Sequence, residues 1–81
     1  MHEIVIRDFK YVPDTVRAEA GDSVRWRNDD LFAHTATSET RAWDTGPMGQ
    51  GAHGQAAFGA PGSHTYFCTL HPNMRGVIVV Q

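Results

Sequence analysis

The 81 residues carry 41% hydrophobic and 20% charged side chains and a formal net charge of −2 with neutral histidines. A chain this short buries only about 60–65% of its unfolded surface, so residues 1–81 are expected to form one domain with a thin core that a bound metal would stabilise. The charge excludes a nucleic-acid footprint, which needs a concentrated basic face, a single cysteine excludes an internal disulfide, and no apolar run approaches the roughly 20 residues of a membrane span.

In chain order, no charged-then-apolar leader precedes Ile4, so no signal peptide is expected in these residues. "EIVIRDF" (Glu3–Phe9) reads as a strand with Ile4, Ile6 and Phe9 on one side, followed by turn chemistry at Pro13-Asp14. In "TVRAEAGDSVRWRN", Val16 and Ala18 precede a Gly21-Asp22 turn, and Val24 and Trp26 follow it. Arg17, Arg25 and Arg27 face the other way. That alternation reads as two half-buried antiparallel strands joined by the turn. "HTATS" (His34–Ser38) is a further short β-branched run, and "AWDT" (Ala42–Thr45) a brief edge segment. Six of the eight glycines lie between Gly46 and Gly62, so that region reads as loop, with "QAAF" (Gln55–Phe58) a weak strand. A Pro-Gly turn then feeds a strand at His64–Cys68, and "GVIVVQ" closes the chain. No amphipathic helix of ten or more residues is present. Seven or eight short strands with near-regular turns predict an all-β sandwich or barrel without repeats.

The chemistry concentrates in "YFCTLHPNMRG" (Tyr66–Gly76), where Cys68, His71 and Met74 stand three residues apart. A lone cysteine at a strand end is usually a small buried hydrophobe. Beside a histidine and a methionine, however, it offers a soft donor set suited to copper, zinc or iron–sulfur centres. One turn does not build a closed site, so a fourth ligand must come from elsewhere. His34 is the best candidate, because strand ends in a sandwich meet at one pole. Two imidazoles, a thiolate and a weak methionine form the blue-copper electron-transfer set. Zinc sites rarely use methionine, and iron–sulfur clusters and haem attachment need more cysteines. His2, His53 and His64 are not expected to be ligands, His53 lying in the glycine-rich loop.

These segments resemble the cupredoxins, the small type 1 copper proteins, and most closely the amicyanin/plastocyanin/pseudoazurin branch. "YFCTLHPNM" is similar to their C-terminal copper loop in its short amicyanin-like form. "AGDSVRWRNDDLFAHTAT" resembles their "AGDxVxWxNxD…HT" segment, and "DFKYVPDTVRAEAGD" their opening strands. The resemblance covers most of the chain and is weakest from Met48 to Ala60. It implies a Greek-key sandwich binding one copper ion through His34, Cys68, His71 and Met74. It also implies that Asn28 ties the ligand segments together, commonly through Thr69, and that the Thr35 N–H points at the Cys68 sulfur. Many relatives carry proline two residues after the cysteine. Leu70 keeps its N–H here, which would give the sulfur a second hydrogen bond, favour Cu(I) and raise the potential.

The same resemblance implies electron passage through the exposed edge of His71 to a transient redox protein. An apolar rim drawn from Leu31, Phe32, Pro47, Met48, Leu70 and Pro72 would receive it, in a monomer working in the periplasm or elsewhere outside the cytoplasm. Two other classes stay open. The first is a copper carrier or sensor, or a module of a larger copper oxidase or reductase; a reversible couple with fast self-exchange separates these from an electron carrier. Without a metal, Cys68 and His71 could serve a thiol enzyme or a bare structural domain. A nucleophile pair of that kind needs an orienting group and an oxyanion site, and the sequence places neither.

Overall fold

A computed structural model of the chain describes residues 1–81. It contains eight strands and no helix: β1 His2–Arg7, β2 Lys10–Val12, β3 Thr15–Ala18, β4 Asp22–Asn28, β5 Thr37–Ser38, β6 His53–Phe58, β7 Gly62–Phe67 and β8 Arg75–Val80. They form two four-stranded sheets, ordered β2-β1-β4-β6 and β3-β8-β7-β5. The chain changes sheet at β2–β3, β3–β4, β4–β5, β5–β6 and β6–β7, so most neighbours are distant in sequence. With no helix, none is long and apolar enough to cross a membrane.

The strands form where β-branched and aromatic residues alternate with polar ones. Ile4 and Ile6 of β1, Val24 and Trp26 of β4, Val16 and Ala18 of β3, and Ile78 and Val80 of β8 are all buried. These inner faces meet as one 15-residue core. Trp43 stacks on Trp26 with ring centroids 5.3 Å apart and meets Phe58 edge-on at 5.2 Å.

Several expectations change. The two segments flanking Gly21-Asp22 are strands, but they do not pair with each other. β3 pairs in parallel with β8, whereas β4 lies between β1 and β6 in the other sheet. Their shared alternation reports that each has one buried face, which two facing sheets satisfy as well as a hairpin does. Gly21, at φ 95°, turns the chain across the sandwich edge, and its N–H donates to the Phe58 carbonyl at 2.8 Å. Phe9 does not continue the inner face of β1. Asp8 and Phe9 form a left-handed turn (φ 52° and 59°) into β2, and Phe9 remains 43% exposed.

The run His34–Ser38 is strand only at Thr37–Ser38; His34 itself bridges to Met48. The brief edge segment survives as a bridge between Thr37 and Asp44. The weak strand at Gln55 starts earlier, at His53, and pairs with β4 along its whole length. Gly54 belongs to it because a Cβ there would stand 2.6 Å from Thr45 Cβ and 2.9 Å from Met48 Sδ.

Candidate metal centre

Two strand ends build the site at one pole. β4 ends at Asn28, and the chain then runs through Asp29–Ala33 to His34. β7 ends at Phe67, and residues 68–74 form its connection to β8, where Phe67 pairs with Arg75. Three backbone hydrogen bonds shape that connection. Cys68 N–H donates to the Met74 carbonyl at 3.1 Å, His71 N–H to that of Cys68 at 3.2 Å, and Met74 N–H to that of His71 at 2.9 Å. The three-residue spacing therefore places Cys68, His71 and Met74 on successive corners of one tight loop.

Three of the four predicted ligands converge. The donor atoms of His34, Cys68 and His71 lie within 4.8 Å of one another. Cys68 Sγ stands 3.8 Å from Nδ1 of His34 and 3.8 Å from Nδ1 of His71. Donors bonded to one ion at about 2.0 Å for nitrogen and 2.3 Å for sulfur, roughly 120° apart, would stand about 3.8 Å from each other. The spacing and the soft donor set therefore fit a single copper-sized ion. His34 and Cys68 are fully buried, Met74 is 4% exposed, and His71 is half-buried. Among the remaining histidines, His2 pairs with Asp22 at 3.0 Å, His64 Nε2 meets the Ala60 carbonyl at 2.8 Å, and His53 is exposed at the start of β6, opposite Arg27 of β4.

The polar groups around the donors partly follow expectation. Thr35 N–H donates to Cys68 Sγ at 3.3 Å, the contact that the family resemblance implied. Leu70 N–H makes no bond to the sulfur, so the expected second donor is missing; Leu70 sits 53% exposed on the rim. Asn28 is fully buried but does not reach Thr69. Its Nδ2 donates to the carbonyls of Phe32 at 2.8 Å and Met48 at 2.7 Å, and its Oδ1 accepts from Asp30 N–H at 2.9 Å. The ligand segments are tied instead by Thr35, whose Oγ1 accepts the Thr69 N–H at 3.0 Å. Of the expected rim, Leu31 and Phe32 are 80% and 59% exposed, and Pro47 and Pro72 are also exposed. Met48 is 2% exposed and belongs to the core.

Asp30 is the residue that sequence reasoning missed. Its carboxylate accepts from His34 Nε2 at 2.8 Å, leaving Nδ1 turned toward the sulfur, and from the N–H groups of Asp8 at 2.7 Å and Phe9 at 3.0 Å. Burial pushes the Asp30 carboxyl up, but the Phe9 and Asp8 N–H donors and His34 outweigh it and hold it below the ordinary carboxylate value. A carboxylate on the outer nitrogen of a ligand histidine fixes the ring's orientation and tautomer. The available signal was the acid four residues before His34 in "DDLFAH".

Residues 2–81 match the profile of the copper binding proteins of the plastocyanin/azurin family. The chain is 32% identical over 84 residues to amicyanin-alpha of Methylorubrum extorquens, covering 98% of this chain and 71% of that one. It is 34% identical over 86 residues to amicyanin of Paracoccus versutus, covering 94% of this chain and 61% of that one, so it spans well under the full length of such relatives. A solved amicyanin variant in its oxidised state superposes with a TM-score of 0.92 at 27% identity, over 99% of this chain and 81% of the other. A purple cupredoxin from Nitrosopumilus maritimus has the same fold, with a TM-score of 0.93 at 23% identity and full coverage of both chains. The chain therefore belongs to the plastocyanin/azurin family of copper-binding proteins. Its fold is the cupredoxin sandwich, and its cofactor is a copper ion.

Proposed function

We propose that this chain is a small type 1 copper electron carrier, with His34, Cys68, His71 and Met74 as the ligands of one copper ion. The observation that carries the reading is the convergence of two imidazole nitrogens on one buried sulfur, each at 3.8 Å, in a loop that also buries Met74. Bound copper supplies a one-electron couple between Cu(I) and Cu(II). The protein's part is to hold the donors still and dry. Asp30 orients His34, Thr35 N–H stabilises charge on the Cys68 sulfur, and the three loop hydrogen bonds keep residues 68–74 from opening.

His71, half-buried, next to exposed Leu70 in the chain and linked to exposed Phe32 through Phe9, is the electron's exit. Redox encounters use small interfaces, so this apolar rim suits a transient redox protein. No substrate chemistry is proposed. Residues 1–81 are read as one domain, supported by the single core shared by both sheets, and as a monomer working outside the cytoplasm, by analogy with the cupredoxins.

The test is addition of one equivalent of Cu(II) to the reduced apo-protein, followed by visible absorption and EPR. An intense thiolate-to-copper band with a narrow hyperfine splitting, lost in Cys68→Ser, is the expected result. A pale solution with an ordinary copper signal would remove Cys68 from the ligand set and the electron-carrier reading with it.

A further inference from the structure

The two imidazoles are not held equally. His34 Nε2 is anchored on Asp30 at 2.8 Å. The His71 ring makes no hydrogen bond beyond the 3.8 Å approach of its Nδ1 to Cys68 Sγ. What flanks His71 is aromatic: Phe9 lies edge-on at 4.9 Å and 73°, and His34 at 4.8 Å and 56°. Phe9 meets His34 as well, edge-on at 5.2 Å and 88°, and it also packs against Phe32 at 5.5 Å. One ring thus touches both histidines and an exposed rim residue.

Phe9 reaches this position only through an unusual backbone. A bulky residue at φ 59° is uncommon and persists only where the surroundings hold it. Here the holding group is identifiable. Both N–H groups of the left-handed Asp8-Phe9 turn donate to Asp30, whose Oδ2 also meets His34 Nε2. Hydrogen bonds to a charged carboxylate are stronger than neutral ones. A single carboxylate therefore pins the turn that carries Phe9 and, at the same time, orients the ring that Phe9 covers. The packing of an apolar core does not require this arrangement, since Phe9 is 43% exposed.

We propose that Phe9, seated by Asp30, is a positioning residue that braces the His71 imidazole, so that the ring keeps one orientation whether or not the metal is oxidised. The proposal rests on the electron-carrier reading above. Electron exchange slows when ligands must move between oxidation states, and of the two imidazoles His71 has least else to hold it. Edge-to-face aromatic contacts of this kind are directional as well as apolar, so leucine replaces the bulk of Phe9 but not its bracing.

The experiment compares Phe9→Leu and Phe9→Tyr with the parent protein in two states. In the apo-protein, NMR of the histidine side chains reads the contact without copper. Phe9→Leu is expected to shift and broaden the His71 ring resonances more than those of His34, and Phe9→Tyr to leave them in place. In the copper-loaded protein, Phe9→Leu is expected to slow electron self-exchange about two- to tenfold, the range such an aromatic contact supports, and Phe9→Tyr to restore it. Unaltered His71 lines in Phe9→Leu, or self-exchange as fast as the parent's or faster, would overturn the proposal. Failure of the parent to bind copper in a blue form would overturn the electron-carrier reading alone, and the apo-protein spectra would still decide whether Phe9 braces His71.

Discussion

Tyr11 and Tyr66 pack edge to face at 4.6 Å beneath the metal centre, yet their hydroxyls meet different fates. The Tyr11 hydroxyl donates to the Thr35 carbonyl, in the same residue whose N–H serves the Cys68 sulfur. The Tyr66 hydroxyl is fully buried and forms no well-shaped hydrogen bond; its neighbouring donor, Trp26 Nε1, is unpaired as well. Removing a satisfied buried hydroxyl strands its acceptor, whereas removing an unsatisfied one does not. Tyr11→Phe is therefore expected to lower stability by about 1–2 kcal/mol in urea unfolding, and Tyr66→Phe to stay within about 1 kcal/mol of the parent. Burial pushes both phenols well above their ordinary value, and for Tyr11 the nearby charge of Cys68 adds to it. A raised folded-state value means that the stability is complete below the unfolded tyrosine value of about 10 and is lost as pH rises beyond it. Alkaline unfolding should accordingly begin above about pH 10 and be shallower in either Phe variant; an unchanged profile in both would refute this. None of this is legible in the chain, because a tyrosine in an alternating strand carries no mark of whether its hydroxyl finds a partner.

At the level of elements, burial pattern was readable and pairing was not. β8 was evident from "GVIVVQ", and β4 from Val24 and Trp26. That β8 lies between β3 and β7, and β4 between β1 and β6, depended on contacts distant in sequence. Glycine placement shows the same division. Gly76 of β8 lies opposite Tyr66 of β7, and a Cβ at residue 76 would fall 2.4 Å from the Tyr66 ring. The strand therefore needs a residue without a side chain where the ring crosses it. Gly76→Ala is expected to cost about 1–3 kcal/mol or more through overpacking, measured by chemical denaturation. Combined with Tyr66→Leu, which frees that space, the two changes should cost less than the sum of the separate losses. Strict additivity would show that the close approach is not what constrains Gly76.

At the scale of the molecule, the surface carboxylates make stability depend on acid. The Glu19 N–H and then His2 hold the Asp22 carboxyl below the usual carboxylate range, and Arg27 does the same for Asp29. A depressed folded-state value contributes stability above the unfolded value and loses it as pH falls through the folded one. The apo-protein should therefore lose stability progressively below about pH 4. Asp22→Asn should flatten part of that dependence, read from urea midpoints across the acid range. Because Asp29 is exposed and Asp22 half-buried at the surface, added salt should weaken the effect; a dependence indifferent to both salt and Asp22→Asn would place its origin elsewhere.

By itself the sequence determined the class of the fold, through strand-length alternation without helical periodicity. It also determined three of the proposed ligands, because Cys68, His71 and Met74 lie within a single loop whose geometry is local. It pointed to His34 only through the expectation that strand ends meet at one pole. The tertiary structure decided which strands pair, since alternation reports a buried face but not the neighbour. It moved Asn28 from Thr69 to the Phe32 and Met48 carbonyls and denied Leu70 its bond to the sulfur, because hydrogen-bond partners depend on atomic positions that residue types do not specify. It also brought Asp30 and Phe9 to the metal centre. A polar loop residue and an aromatic at a strand end look ordinary in the chain, and only a left-handed turn pinned by one carboxylate sets them against the two imidazoles.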